Sequence, residues 1–245
     1  MWPPIRLLDA TLPSVAENLA LDEALLIEAE ERQGPAVVRL WELDHLAVVM
    51  GASCRLLENV RVEPCRADGV AIARRSSGGG TVVIGPGALN VSVVLPIDAE
   101  PALKAVDTAQ NFVLGRIARA IREVGPPVEV LGSGDLTLGR RKFSGSAQRR
   151  LRRHLLVHAS LLHDFPLDRI DRYTLMPPRR PSYRDDRAHA DFVVNLPMAR
   201  GRLVDAILRA WLADPARPEP AAIPQDLVRS LASTKFSDPS WIGRL

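Results

Sequence analysis

The sequence predicts an α/β protein of mixed, largely antiparallel sheets flanked by helices, and three observations carry that reading. Apolar residues at three- and four-residue spacing alternate along the chain with short apolar runs bounded by glycine, proline and aspartate. Apolar residues make up 47% of the 245, enough for a sizeable core and too many for a disordered chain. No repeat and no linker-like stretch interrupts the pattern, so residues 1–245 are expected to form one domain.

Ile5 to Asp9 reads as a first strand. Ser14 and Glu17 have capping-box spacing, and Ala16, Leu19, Ala20, Ala24 and Ile27 follow at helical steps, giving a helix to about Arg32 that Gly34-Pro35 stops. Ala36 to Trp41 and Leu46 to Met50 read as strands joined by a turn at Glu42 to Asp44, and Gly69 to Arg74 as a third. Thr81 to Ile84 and Leu89 to Leu95 flank a Gly85-Pro86-Gly87 turn. A second helix spans Ala105 to Val124. Val128 to Leu131, Leu136 to Leu138, Lys142 to Ser144 and Leu155 to Leu162 are further strands, with Gly139-Arg140 as a tight hairpin. Leu167 to Leu175 reads as a short helix, Pro177 to Arg187 as a loop rich in proline and arginine, and Gly201 to Leu212 as a helix. The tail from Asp214 is expected to be mostly loop with one short helix.

Composition narrows the function. The net charge is only +3, but Arg140, Arg141, Lys142, Arg149, Arg150, Arg152 and Arg153 fall within fourteen residues. Aromatic residues are 4% of the chain and a single one, Phe143, falls within that cluster, too few to stack successive bases, which argues against nucleic acid. There is no apolar run of membrane-spanning length and no leader, so a cytoplasmic protein without a membrane partner is expected. Cys54 and Cys65 have neither metal-site spacing nor a disulfide framework.

Two segments concentrate the chemistry. Arg74-Arg75-Ser76-Ser77-Gly78-Gly79-Gly80 places two guanidiniums beside three glycines, and Gly139 to Gln148 places Lys142 between a basic turn and small residues. Glycine lets backbone N–H groups reach an anion, arginine forks onto phosphate or carboxylate, and lysine acts as a point charge. Taken alone, a glycine triplet is equally a bulge or tight turn, Lys142 a solvated charge, and Asp135 the cap of a turn. Asn90 and Ser92 alternate on one strand and His158 and Ser160 on another, facing a groove or a hydrogen-bonded core.

At RRSSGGG (74–80), GALNVS (87–92), GRRKFSGSAQRR (139–150) and HASLL (158–162) the chain resembles the lipoate–protein ligase family, within the biotin and lipoate ligases and transferases. The resemblance implies that family's catalytic-domain fold, with Lys142 as the catalytic residue meeting both a carboxyl oxygen and an adenylate phosphate. It implies that Arg75, Ser77, Gly78, Gly79, Gly80, Asn90, Asp135, Ser144, Gly145, Ala147 and His158 bind the acid and the adenylate, and that Asp135 is the Mg²⁺ ligand. ATP and Mg²⁺ would be required and lipoic acid would be the substrate. Val82, Val93 and Leu161 would line a tunnel for the hydrocarbon tail. The acceptor would be an acidic lipoyl-type domain, steered by Arg149, Arg150, Arg152 and Arg153. Because the chain ends where the family's catalytic domain does, a separate accessory subunit is a possible partner. Family ligases often carry histidine where this chain has Ile84, and asparagine where it has Gly134. The related octanoyl transferases use a cysteine before the lysine strand, and residues 128–138 contain none. An octanoyl transferase using an acyl carrier protein without ATP, and an acyl-binding subunit, stay open as alternatives.

Overall fold

The computed structural model describes residues 4–212, 214–215 and 217–245, so residue 216 of the predicted tail lies outside it. In chain order the elements are β1 (Ile5–Asp9), α1 (Val15–Arg32), β2 (Ala36–Trp41), β3 (Ala47–Met50), α2 (Leu56–Asn59), α3 (Val62–Ala67), β4 (Ala71–Arg74), β5 (Val82–Ile84) and β6 (Ala88–Pro96). Then follow α4 (Val106–Val124), β7 (Val128–Leu131), β8 (Asp135–Leu138), β9 (Arg141–Arg150), β10 (His154–Leu162), α5 (Asp168–Tyr173), α6 (His189–Phe192), α7 (Arg200–Trp211), α8 (Gln225–Leu231) and α9 (Pro239–Ile242). Helix α1 begins at the predicted capping box. The Glu17 amide donates to Ser14 Oγ at 3.2 Å, and the Ser14 amide donates to the Glu17 carboxylate at 2.9 Å.

The strands form a seven-stranded sheet in the order β1-β2-β6-β10-β9-β8-β7 and a three-stranded sheet in the order β4-β3-β5. Only β1–β2 and β3–β4 pair in parallel. The mixed, largely antiparallel arrangement of the sequence analysis is therefore present. Period two divides the large sheet into two faces. Leu89, Val91, Val93 and Leu95 of β6 and Leu155, Val157, Ala159 and Leu161 of β10 pack with α4 and α7. Ala88, Val94, Leu156 and Leu162 lie with α1 and the small sheet. Strands β2 and β6 are buried on both faces, and their few polar residues, Arg39, Asn90 and Ser92, all lie on the α1-facing side.

At the expected turns between β2 and β3 and between β5 and β6 the chain passes from one sheet to the other. A doubly buried run carries no record of which neighbour it pairs with. Two expectations need correction. Strand β9 continues well past Ser144 to Arg150, held by β8 and β10 on either side despite its small and basic residues. The tail holds two helices, α8 and α9, around a π-helical turn at Ala232–Phe236, where Lys235 Nζ reaches Glu23 Oε2 of α1 at 2.6 Å. No helix among the described residues is long and apolar enough to cross a membrane.

Candidate active site

Two adjacent rows of residues run across the α1-facing side of the large sheet. Register aligns Arg39 (β2), Ser92 (β6), His158 (β10) and Ala147 (β9) in one row. The next row is Trp41, Asn90, Ser160, Gly145 and Asp135 of β8. A β-bulge then decides where Lys142 points. Thr137 pairs with Lys142 but Leu136 pairs with Ser144, so Phe143 is an extra residue in β9. Without it Lys142 would lie on the opposite face from Gly145. With it, Lys142 shares the face of Gly145 and Asp135, and its Nζ meets Asp135 Oδ1 at 2.7 Å. A Cβ on Gly145 would sit 3.0 Å from Lys142 Nζ, so the missing side chain is what lets the lysine fold across the strand.

The loop from Arg75 to Thr81 joins β4 to β5 and lies over these rows. Arg75 is buried, and it donates to Ser77 Oγ (3.0 Å) and to the carbonyls of Val49 (3.2 Å), Gly78 (2.6 Å) and Gly80 (2.9 Å). Three of its N–H donors thus hold the glycine loop in shape and a fourth ties it to β3. Burial pushes its pKa down to about 10, so it keeps its charge at neutral pH. Gly79 has φ +82°, and a Cβ there would be 2.9 Å from the Arg75 guanidinium. Gly78 and Gly80 face open space, and among the described residues their amides donate to no protein group.

Behind the loop runs a buried polar chain. His158 Nε2 and Ser77 Oγ are 2.6 Å apart, and His158 Nδ1 lies 3.3 Å from Asp22 Oδ2. Ser92 donates to the same carboxylate oxygen at 2.7 Å, and Arg39 donates to Asp22 Oδ1 at 2.6 Å. Burial alone would push the Asp22 carboxyl up; Arg39, His158 and Ser92 outweigh it and hold it below the ordinary range. The chain fixes the His158 ring against the sheet.

Two connected cavities open on Lys142. A narrow slot of about 110 Å³ is lined by Leu19, Trp41, Val49, Val82 and Ile84, with Arg75, Asn90, Ser92, Ala147, His158 and Ser160 on its polar side. A wider cleft of about 410 Å³ includes Asp135, Phe143, Ser144, Arg179, Arg180, Arg184 and His189. Gly80, Thr81, Val82, Lys142, Gly145, Ser146 and Ser160 belong to both. Of the residues singled out from sequence, Arg75, Asn90, Ala147 and His158 reach the slot, Asp135 and Ser144 the cleft, and Lys142, Gly80 and Gly145 their junction. Ser77, Gly78 and Gly79 line neither; Ser77 stands behind His158 and Arg75. Val93 and Leu161 also miss the site, since both occupy the face that packs on α4 and α7. Cys54 Sγ approaches Gly79 O at 3.4 Å from beneath the loop and Cys65 is in the core, so neither thiol faces a cavity.

Sequence reasoning missed Asp22, Arg39, Gly51 and Tyr183. Asp22 and Arg39 sit within a helix and a strand otherwise buried, and a charge inside an apolar run was the available signal. Gly51 allows the loop to close down, because a Cβ there would be 2.0 Å from Gly79 O. Tyr183 donates to Asp135 Oδ2 at 2.7 Å from a loop with no periodicity to read.

The sequence and the fold find counterparts among known proteins. The family model for the lipoyl protein ligase A/B catalytic domain matches residues 14–204. A protein of Aeropyrum pernix named as a candidate lipoate-protein ligase A is 32% identical over 239 residues, which cover 91% of this chain and 86% of that one. The chain spans less than half the length of the next curated relatives it matches. Among solved structures, one described as a bi-partite lipoate protein ligase and its E2 lipoyl domain from Thermoplasma acidophilum superposes with a TM-score of 0.82. It is 23% identical, over 99% of this chain and 98% of that one. A lipoate-protein ligase A bound with ATP gives 0.81 at 22% identity, over the whole of both chains. At these identities the two structures establish the fold.

Proposed function

The chain belongs to the lipoyl protein ligase A/B catalytic-domain family, and on that premise we propose that it is a cytoplasmic, single-domain ligase that activates lipoate or octanoate with ATP and passes the acyl group to a lysine of an acidic lipoyl domain. The observation that carries this reading is the position of Lys142, at the junction of an apolar slot and a basic cleft. The slot suits a hydrocarbon tail and the cleft a nucleotide. The acid's carboxylate and the α-phosphate then meet at the ammonium.

In the first half-reaction a carboxylate oxygen attacks the α-phosphorus, the bond to the β-phosphate breaks, and pyrophosphate leaves. Two anions must approach, so fixed positive charge is the main requirement. Lys142 supplies it at the reacting oxygens. Arg75 supplies a second charge and holds the glycine loop, whose amides at Gly78 and Gly80 are available to an anion. In the second, the acceptor's amine nitrogen attacks the acyl carbon, AMP leaves with the bonding pair, and the amine gives up a proton. His158, fixed by Asp22, and Asn90 line the slot where the acyl carbonyl would lie.

Mg²⁺ fits the cleft in one form. No group of three or more His, Cys, Asp or Glu among the described residues would hold an ion unaided. Asp135 is the one carboxylate lining the cleft among them, and the buried hydroxyls of Thr81 and Ser144 in the same cleft lack partners. One carboxylate together with ligand phosphates is a usual Mg²⁺ donor set. Asp135 would hold the ion, which would neutralise pyrophosphate charge, and Lys142 would then face the ligand rather than Asp135.

The test is pyrophosphate release with Mg-ATP, lipoate or octanoate, and an acidic apo-lipoyl domain. Release that requires both the acid and ATP and disappears in Lys142→Ala is expected. Acceptor acylation from an acyl carrier protein donor without ATP would replace this reading with a transferase, and silence without a second polypeptide would point to an accessory subunit.

A further inference from the structure

Arg184 is a buried cation that no carboxylate among the described residues touches directly. It is 3% exposed and lies on the 3₁₀ turn Ser182–Arg184 of the strap that follows α5. Its Nε donates to Arg187 O at 2.9 Å, and its guanidinium stacks 4.6 Å from the Phe192 ring. Its second terminal nitrogen makes no hydrogen bond, and among the described residues no carboxylate lies within ion-pair distance. Burial depresses its pKa first and neighbouring Arg180 depresses it further, and the more distant Asp171, already paired with His189, offsets them only in part. A guanidinium so placed is costly unless something else completes it.

The cleft it lines shows what would complete it. Arg179, Arg180, Arg184 and Lys142 face one carboxylate, Asp135, which is already shared between Lys142 Nζ (2.7 Å) and Tyr183 Oη (2.7 Å). His189 adds no fixed charge, because burial lowers its pKa. Arg180 meets Asp186 at 2.8 Å, but Asp186 is almost fully exposed and screens it weakly. The wall thus has an excess of positive charge that a single carboxylate ligand would not match and a polyphosphate would. The strap is also docked beforehand, by Tyr183 on Asp135 and by Arg140 on Asp185 at 2.9 Å. Its guanidiniums need little reordering to receive a ligand.

We propose that Arg184, supported by Arg179 and Arg180, forms the subsite for the β- and γ-phosphates of the nucleotide and for the pyrophosphate they become. This rests on the nucleotide reading of the cleft. Lys142 then stays with the α-phosphate and the acid, while the strap takes the leaving group. Guanidinium suits that task because it forks onto two phosphate oxygens at once.

Titration calorimetry with inorganic pyrophosphate, without and then with Mg²⁺, tests the assignment in a form separate from catalysis. Arg184→Met, which keeps the stem beside Phe192, is expected to weaken pyrophosphate binding by roughly 10- to 100-fold, the range for a charged hydrogen bond. Arg184→Lys should recover part of it, and lipoate binding should be unchanged in both. In ATP–pyrophosphate exchange the KM for pyrophosphate should rise while that for lipoate holds. Should Arg184→Met fail to fold, the exposed-strap double variant Arg179→Gln/Arg180→Gln is expected to weaken pyrophosphate binding likewise. Wild-type binding retained in Arg184→Met, or in the double variant where that one does not fold, would overturn the proposal, as would a wild-type protein that ignores pyrophosphate. A protein that binds pyrophosphate through Arg184 yet makes no acyl adenylate would sink the ligase reading and leave this anion site standing.

Discussion

Lys142 and Asp22 are the two charges on which the site depends most, and they fail in different ways. Lys142 Nζ touches only Asp135 and is partly exposed, so Lys142→Ala should leave the fold intact. It should lower acyl-adenylate formation by about 10²- to 10³-fold, the usual loss when one preorganised donor to a developing charge is removed. Single-turnover kinetics beside a thermal melt would separate the two effects. Asp22→Asn removes the charge that neutralises fully buried Arg39. The expected cost is about 3–5 kcal/mol by urea unfolding, as for one partner of a buried pair. A cost below about 1 kcal/mol would mean that Arg39 is satisfied by the backbone carbonyls of Ala10 and Asn18 alone. The glycines divide similarly. Gly80→Ala, with open space around its Cβ and a place in both cavities, should change stability by less than about 0.5 kcal/mol and still weaken nucleotide binding. Gly79→Ala forces a side chain onto φ +82° and against Arg75, and should do both.

At the scale of elements, the loop from Arg75 to Thr81 and the bulged strand β9 bring the site together. Gly51→Ala would push a methyl group into Gly79 O and should lift the loop, costing about 1–3 kcal/mol and raising KM for both substrates. The basic ridge after β9 is less uniform than its sequence suggests. Arg150 is spent on the carbonyls of Leu103 and Lys104, and Arg153 on Glu30. Arg149 and Arg152 are exposed and have no partner among the described residues. The double charge reversal Arg149→Glu/Arg152→Glu should therefore slow acceptor association and flatten its salt dependence, with little change in adenylate formation. Helix α1 and strands β1, β2, β7 and β10 were legible residue by residue, because caps, alternation and flanking Gly-Pro signals are local. The helices α2, α3 and α6 were not, being four to six residues long and without caps. The bulge at Phe143 was invisible for a different reason: a shift of one residue is specified by neighbours distant in sequence.

Across the whole molecule, the large sheet separates a support layer from a working layer. Leu114 and Ile117 of α4 pack beneath β6 and β10 without touching the cavities, so Leu114→Ala should cost about 2–5 kcal/mol while leaving KM values unchanged. Glu42 joins the layers at one end, taking the Gly87 amide at 2.7 Å, Arg200 at 2.9 Å and His163 at 3.4 Å. Burial pushes its carboxyl up, but His163, the Gly87 amide and Arg200 outweigh that and hold its pKa at about 2. A depressed carboxyl pKa contributes stability in full above its ordinary value of 4.5 and loses it as pH falls toward about 2. Wild type should thus exceed Glu42→Gln in urea midpoint at neutral pH, with the gap closing below about pH 4. Which residues of the two sheets meet around Lys142 followed from topology, and the sequence held only the fragments. RRSSGGG and the lysine strand were legible as motifs, whereas Asp22 acts on His158 from 136 residues away and Gly51 on Gly79 from the preceding strand, and Arg184 sits on a loop without periodicity.

If carboxylate and α-phosphate meet at Lys142, the acyl chain and the nucleotide must lie on opposite sides of it. A crystal structure with a non-hydrolysable lipoyl-adenylate tests it directly. The hydrocarbon tail is expected between Leu19, Trp41, Val49 and Ile84, with the phosphate on Lys142 and the nucleoside in the wide cleft, clear of the Arg184 subsite left by pyrophosphate. A tail lying in the wide cleft, or a phosphate beyond reach of Lys142, would contradict it.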